Sequence, residues 1–344
     1  MRPHAPAVLA GLAIALGVVA VIALGTGAVG LSPGEVIAVL ADRLGLGDAP
    51  ANHVAIVWSI RLPRALLAIL VGAALGTAGA TLQGVVRNPL ADPALVGVSG
   101  GAALGAVGAF VLGAPLLASA SLGRWIVPGA AFAGALLASR LALRLARVGG
   151  TTSGATLLLA GIGIAALSGA GVGILVYLAD DAALRSIAFW NLGSLGGATW
   201  PLLAVAAPVI AIGLALVPHL AGPLDRLALG ELEARHAGVD VDRVTRRAIA
   251  ATSLAVGAAV ACCGAIGFVG LVVPYLARAA LGPGHRALLP ASALGGALLL
   301  VAADLAARTV VAPAELPVGI LTALVGAPVL LAVVRGGRAS ELLA

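Results

Sequence analysis

The sequence predicts an all-α, polytopic membrane protein with about ten transmembrane helices. Its 344 residues are 61% hydrophobic and only 10% charged, whereas soluble domains carry about 25% charged residues. A spanning helix needs about 20 apolar residues, so roughly 30 residues for each span and loop fit about ten spans. The whole chain, residues 1–344, is therefore predicted to be a single transmembrane domain.

Apolar stretches separated by charged or Pro/Gly-rich breaks place each span in turn. The first apolar run follows Met1 and Arg2 and is longer than a signal peptide requires, so it is expected to be a spanning helix. The break at residues 264–270 leaves open a re-entrant turn between two short spans. The predicted spans are 7–30, 63–85, 93–113, 125–146, 154–178, 200–218, 248–264, 266–282, 287–307 and 317–334.

The arginines predict the orientation of these spans. All 20 Lys plus Arg residues are arginine, and arginine accumulates in cytoplasmic loops. With the N-terminus inside, 14 arginines, among them Arg2 and Arg338, lie at inner ends and 6 lie at outer ends. This asymmetry predicts that both termini are cytoplasmic. The six outer arginines are Arg43, Arg61, Arg64, Arg124, Arg185 and Arg308.

Composition and motifs exclude several classes of function. The net charge of +6 is accounted for by loop arginines, so no nucleic-acid partner is predicted. Cys262 and Cys263 are adjacent in an apolar stretch and indicate neither a disulfide nor a metal site. The histidines are scattered, and neither a nucleophile–base pair nor a GxxxxGK[ST] phosphate loop occurs. The sequence therefore predicts no catalytic residue, no metal and no cofactor bound by this chain.

One loop, residues 222–247, is the longest strongly charged segment. Its alternating apolar and charged residues favour a short amphipathic helix, with Gly238 as its stop and Asp240 or Asp242 as the cap of a second short helix. Such a pair of helices would form a docking platform on the cytoplasmic face. The spacing alone leaves open an ordinary solvated loop. The alternating residues are Leu227, Leu229, Glu231, Leu232, Glu233 and Arg235.

Four segments carry a resemblance to a known family. In their order and spacing they resemble the FecCD-type permeases of ATP-binding-cassette importers for iron-siderophores, haem and cobalamin. The segments are residues 61–105, 227–247, 264–278 and 303–335, with the strings RNPLADPALVGVSGG, LALGELEARHAGVDVDRVTRR, GAIGFVGLVVPYLAR and ELPVGILTALVGAP.

The resemblance implies a type II importer permease fold and a set of partners. A second permease copy, identical or paralogous, would complete the membrane unit in lipid. ABC-type ATPase subunits would bind ATP and dock on one face, and an extracytoplasmic substrate-binding protein would dock on the other. The implied location is the cytoplasmic (inner) membrane of a prokaryote. A ferric siderophore is favoured as the commonest ligand of such importers, while haem and cobalamin remain open.

Matched positions imply roles for residues at the two membrane faces. Arg61, Arg64 and Arg308 match arginines that dock the binding protein, although snorkelling arginine anchors are the alternative. Charge reversal at Arg61 and Arg64 is expected to weaken docking most at low salt. Asn88 and Leu90 match residues of a cytoplasmic gate, with an ordinary tight turn as the alternative.

The charged loop matches the coupling helices of the family. This match implies that the loop inserts into the ATPase and passes on its movement; the matched residues are Leu229, Gly230, Glu231, Ala234 and Arg235. Residues 152–155 match a second gate loop only in part, because Gly154 and Ala155 replace hydroxyl-bearing residues. Asp304 and Glu315 lie near the outer ends of the last two spans, where pairing with Arg308 is favoured over an ion pathway.

Two alternative functions remain, a secondary transporter, which explains the composition equally well, and a membrane-embedded enzyme. A secondary transporter driven by an ion gradient would not explain the charged loop or the outer arginines. A membrane-embedded enzyme would need convergent polar residues at membrane depth, and the predicted spans contain very few. The sequence therefore favours the importer permease, with ATP hydrolysed on a separate subunit.

Overall fold

The computed structural model describes residues 4–113, 119, 122–148 and 151–335, and most of these residues are helical. A π-helix, Ala55–Arg61, joins α3 to α4, and strands β1 (Arg147–Val148) and β2 (Thr151–Thr152) pair antiparallel. The helices are α1 (Ala5–Gly25), α2 (Pro33–Arg43), α3 (Ala51–Val54), α4 (Leu62–Val86), α5 (Val98–Leu112), α6 (Gly123–Leu145), α7 (Gly154–Leu178), α8 (Asp181–Leu192), α9 (Trp200–Leu216), α10 (Ala221–Leu227), α11 (Glu231–His236), α12 (Val241–Cys263), α13 (Val269–Leu281), α14 (His285–Thr309) and α15 (Val318–Arg335).

The predicted fold class is confirmed. Among the described residues, seven segments contain a helix long and apolar enough to cross a membrane, and three shorter apolar helices, α5, α13 and α15, bring the number of apolar helices to ten. Each of the ten predicted spans overlaps one of these ten helices, although several helices begin or end outside the predicted bounds. Arg2 and Arg338, which contributed to the predicted orientation, lie outside the described residues.

The prediction for the seventh span was wrong at its start. Helix α12 begins at Val241 rather than at residue 248. Asp240 caps this long helix by accepting a 2.9 Å hydrogen bond from the Arg243 N–H, so it does not start a second short helix. The first two turns carry Arg243, Arg246 and Arg247, and their charges hide the helix from a hydropathy argument.

Helices α12 and α13 are separate, as the two predicted spans require, with Gly264 and Phe268 at positive φ in the break between them. Two further details differ from the prediction. The third span is split, because a 3-10 helix at Pro93–Val96 precedes α5. Helices α2 and α8 were not predicted. Ser32 and Glu35 form a capping box on α2, and Asp180 caps α8.

Helix α4 forms the centre of the bundle. It packs against α14, α12, α13 and α9, and most of its residues are buried. In contrast, α1 and α7 bury few residues and expose apolar side chains such as Ile14 and Leu167. A face of this kind suits lipid or another apolar surface. The protein therefore consists of a buried central helix surrounded by helices with apolar outer faces.

Glycines set a close crossing between α4 and α14. A Cβ atom on Gly72 would lie 2.3 Å from the carbonyl oxygen of Gly296, and one on Gly76 would lie 2.1 Å from that of Ser292. A Cβ on Gly296 would in turn lie 2.1 Å from the Gly72 oxygen. Only residues without a side chain let two backbones approach so closely. The backbone contact therefore requires glycine at these positions.

Gly76→Ala is expected to lower the free energy of unfolding by about 1–3 kcal/mol. The added methyl group meets backbone rather than a movable side chain, so α4 and α14 must separate. The measurement is the thermal unfolding midpoint of the purified chain in detergent. Gly163→Ala on α7 is the control, because nothing lies within 4 Å of its added Cβ. Equal midpoints for the two variants would contradict the close crossing.

Candidate functional site

Contacts among the described residues gather the candidate residues at the two ends of the bundle. At one end, which we call the platform end, Arg87 contacts Glu231, Asp242 contacts Thr152, and Asp225 contacts His285. At the other, which we call the network end, Arg64 contacts both Asp304 and Glu315. The two ends are described in turn.

The Asp304 carboxylate is the centre of the network end. The Nε of Arg64 donates to its two oxygens at 2.9 and 3.1 Å, and the Arg64 Nη2 lies 2.9 Å from Oδ1. The Nε of Arg308 lies 3.3 Å from Oδ2. A second carboxylate, that of Glu315, accepts from Arg64 Nη1 at 2.8 Å. The expected pairing of Asp304 with Arg308 is confirmed, whereas Glu315 pairs with Arg64.

Two of the predicted docking arginines, Arg61 and Arg308, form hydrogen bonds with backbone carbonyls at the end of the first span. Arg61 donates to the carbonyl oxygens of Leu24, at 2.8 Å, and Val29. Arg308 donates to those of Ala23, at 3.2 Å, and Thr26, at 3.4 Å. These carbonyls lie at and after the end of α1, where no further helical N–H is available to them. The arginines therefore connect the end of α1 to the π-helix that precedes α4 and to α14.

The predicted docking arginines face the interior of the chain. Arg61, Arg64 and Arg308 are only 5%, 6% and 8% exposed, and Asp304 is 2% exposed. Side chains that are buried and hydrogen-bonded in this way do not present their charge to solvent. Removal of one partner from a buried ion pair would leave an unpaired charge inside the bundle. The role of these arginines in docking a binding protein stays a prediction.

The predicted gate residues lie in a tight reversal after α4. Arg87 ends the helix in the left-handed conformation, with φ of 52°. The Asn88 Oδ1 accepts the N–H of Leu90 at 2.9 Å, as in an Asx turn. Asp92 then caps Pro93–Val96 through the Ala94 N–H, and desolvation raises the pKa of its carboxyl although this hydrogen bond opposes the rise. The turn is defined, and its role as a gate stays a prediction.

The second predicted gate segment, residues 152–155, runs from the end of β2 into the first residues of α7. The N–H of Thr152 donates to Asp242 Oδ1 at 2.6 Å. A Cβ atom on Gly154 would lie 3.1 Å from the Cα of Val86. Glycine at this position thus lets the start of α7 approach the end of α4, which is a structural reason for the absence of a hydroxyl-bearing residue.

The predicted platform consists of α10, α11 and the turns beside α11. Gly230 precedes α11 with φ of 125°, a conformation that favours glycine, and Gly238 follows it with φ of 78°. Ala234 is fully buried against Leu227 and its neighbours. Leu229 and Leu232, in contrast, are 76% and 64% exposed. The platform is therefore anchored on one side and presents two leucines on the other.

Ion pairs connect the platform to both predicted gate segments. Glu231 lies 3.5 Å from the Nη2 of Arg87, next to the Asn88 turn. Arg235 donates to Asp242 Oδ2 at 3.2 Å, and the other oxygen of Asp242 holds Thr152. A displacement of α11 therefore reaches the turn after α4 and the segment before α7 through single side chains.

A further pair of residues, Asp225 and His285, connects the platform to α14. The Asp225 Oδ1 of α10 accepts from the backbone N–H of His285 at 2.7 Å and lies 2.8 Å from its Nδ1. Nearby, Arg278 of α13 donates to the Gln83 Oε1 of α4 at 3.2 Å. These contacts join α10 of the platform to α14, and α13 to α4 close by, so the position of the platform is set by several spans at once.

Sequence reasoning missed several residues that form the contacts between the platform and the spans. Arg87 was used only to predict orientation, and Asp242 only as a possible cap. Asp225 and His285 were given no role as a pair. The sequence could have indicated these residues by their position, because they lie at the charged ends of spans, within or beside the segments of family resemblance. Their partners lie far away in the sequence, so only the fold identifies them.

Within the part of the chain that the structure describes, ten apolar helices that connect at one end to an exposed platform define a multi-pass membrane protein of the transporter type. The model of the FecCD transport family matches residues 14–336. The chain belongs to this family.

Curated relatives and a solved structure agree with this family. The chain is 46% identical over 273 residues to the hemin transport system permease protein HmuU of Yersinia pestis, covering 79% of this chain and 81% of that protein. It is 43% identical over 289 residues to the cobalamin import system permease protein BtuC of Halobacterium salinarum, covering 83% and 75%. The structure of a metal-chelate type ABC transporter in an inward-facing conformation superposes with a TM-score of 0.83 at 31% identity, covering 96% of this chain and 99% of that chain.

Proposed function

We propose that this chain is the permease subunit of an ATP-driven importer that moves a metal chelate across the cytoplasmic membrane of a prokaryote. The observation that carries the proposal is the similarity, over about four fifths of the chain, to permeases named for haem and cobalamin import. The platform supports it, because two exposed leucines beside a glycine turn suit a second protein better than water.

ATP is hydrolysed on a separate ABC subunit that docks on the platform. The sequence offers no phosphate loop of the GxxxxGK[ST] type. Leu229 and Leu232 would enter the ATPase, and the Arg87–Glu231 and Arg235–Asp242 ion pairs would carry its movement to the two gate segments. ATP therefore belongs to the partner, and this chain binds no cofactor of its own.

The remaining partners follow from the two ends and the outer faces. The platform end is cytoplasmic, which places the excess of arginines and both termini inside. A substrate-binding protein docks at the network end. A second permease copy, identical or paralogous, covers exposed apolar residues of α7 such as Leu159 and Leu167 and completes a pathway between the subunits.

The ligand is haem, cobalamin or a ferric siderophore. Relatives named for haem and for cobalamin are 46% and 43% identical to this chain, so identity alone does not separate them. The test uses vesicles holding the permease, its ATPase and its binding protein, supplied with ATP and each radiolabelled ligand in turn. Accumulation of one of the three ligands supports the proposal and identifies the substrate. Failure of all three, in vesicles whose ATPase subunit is bound and active, would contradict the metal-chelate class.

A further inference from the structure

A cleft with a volume of about 600 Å³ opens at the platform end, between α9–α10 and the start of α12. Three exposed arginines line it: Arg226 from α10, and Arg243 and Arg247 from α12. We call this feature the basic cleft. A volume in this range suits a small-molecule ligand, so the question is what chemistry the cleft would hold.

The basic cleft has more positive than negative charge. Asp240 is the acidic residue among those that line it, and it pairs with Arg243 at 3.4 Å. Arg226 and Arg247 have no ion pair or side-chain hydrogen bond among the residues that the structure describes. Two unpaired guanidinium groups beside a third favour an anion with several oxygen acceptors, such as a phosphate.

The wall of the cleft changes from cationic to apolar along the helix axes. On α12, Arg243, Arg247 and Ala250 follow one another at helical spacing on one exposed face. On the opposite wall, exposed Leu216 of α9 lies beyond Arg226 in the direction of the membrane. A ligand that follows both walls has a phosphate at one end and a hydrocarbon chain at the other.

We propose that the basic cleft binds an anionic phospholipid of the leaflet at the platform end, with its phosphate between Arg226, Arg243 and Arg247 and its acyl chains along Leu216 and Ala250. Basic pockets between transmembrane helices are suited to such headgroups. Free phosphate would leave the apolar part of the cleft unused.

An occupied basic cleft would act on the platform. Gly238, Val239 and Asp240 form both the turn between α11 and α12 and part of the cleft lining. A lipid held at this turn fixes α11 relative to α12, and hence fixes Leu229 and Leu232. The lipid is thus a structural ligand of the platform.

The test compares two triple variants of the full-length chain. Arg226→Gln, Arg243→Gln and Arg247→Gln change the cleft. Arg140→Gln, Arg144→Gln and Arg147→Gln remove the same charge from exposed residues at the end of α6 and on β1, outside the cleft lining. Phosphatidylglycerol and phosphatidylethanolamine are titrated into each detergent-purified protein, and bound lipid is measured by native mass spectrometry.

The cleft variant is expected to bind phosphatidylglycerol on the order of 10- to 100-fold more weakly than the unmodified chain, since each arginine near the surface contributes modestly. The control variant is expected to keep its affinity, and the weak binding of phosphatidylethanolamine is expected to be unchanged. Replacing the same three cleft arginines by lysine should restore most of the binding. If the triple glutamine variant does not fold, Arg247→Gln alone is used, with an expected loss of about 5-fold.

Three results would overturn the proposal. An equal loss in the control variant would mean that only total charge matters. Displacement of phosphatidylglycerol by millimolar inorganic phosphate would assign the cleft to free phosphate. Unchanged lipid binding in the cleft variant, combined with a lost association with the ATPase subunit, would make these arginines part of a protein interface.

Discussion

Asp304→Asn is expected to lower the free energy of unfolding by about 3–5 kcal/mol, the usual cost of removing one partner from a buried ion pair. The substitution keeps the size of the side chain but removes the charge that Arg64 and Arg308 share. Both guanidinium groups then remain buried near each other with Glu315 as the remaining acidic partner, and this carboxylate is half exposed and contacts Arg64 alone. The thermal unfolding midpoint in detergent measures the effect.

The matched control for this variant is Asp48→Asn. Asp48 is exposed in the segment between α2 and α3, with no ion pair among the described residues. Its substitution is expected to leave the midpoint unchanged. A midpoint for Asp304→Asn as high as that of the control would show that the network does not stabilise the bundle. Because Arg61 and Arg64 are buried, charge reversal at either residue could unfold the chain, so docking experiments with these variants must include a measurement of folding.

Leu229→Asp combined with Leu232→Asp is expected to weaken ATPase binding by about 100-fold or more. Each leucine buried in a partner contributes about 1.5–3 kcal/mol, and a tenfold change in affinity corresponds to about 1.4 kcal/mol. Stability of the chain is expected to be unaffected, because both side chains are exposed. Co-purification with the ATPase subunit and ATP-driven uptake measure the result.

The control for the platform variant is Leu44→Asp combined with Leu46→Asp. These two leucines are equally exposed but follow α2, on the side of the network end. This variant should bind the ATPase subunit normally. Normal ATPase binding and uptake by the Leu229 and Leu232 variant would contradict the proposal that the platform couples the ATPase to transport.

The spanning helices were predictable because lipid imposes a long apolar run on each of them. The same reasoning missed α2 and α8, which are short and lie between spans, and it placed the start of α12 too late because arginines occupy its first turns. Hydropathy predicts the part of a helix that lies in lipid, but it does not predict how far the helix continues into water.

The candidate sites were predictable as residues but not as partners. The sequence indicated Arg64, Asp304 and Glu315 separately, yet 240 positions separate Arg64 from Asp304. Whether an arginine at a span end meets solvent or a buried carboxylate depends on which helices are neighbours. The Arg87–Glu231 and Asp242–Thr152 contacts needed the fold for the same reason.

The central claim is that ATP hydrolysis on a separate subunit drives a ligand through this chain. The most direct test measures ligand accumulation in vesicles holding the permease, its ATPase and its binding protein, once with ATP and no ion gradient and once with an ion gradient and no ATP. The account predicts accumulation with ATP alone, and its loss when Leu229 and Leu232 are both changed to Asp. Accumulation that follows the ion gradient and ignores ATP would contradict it and assign the chain to secondary transport.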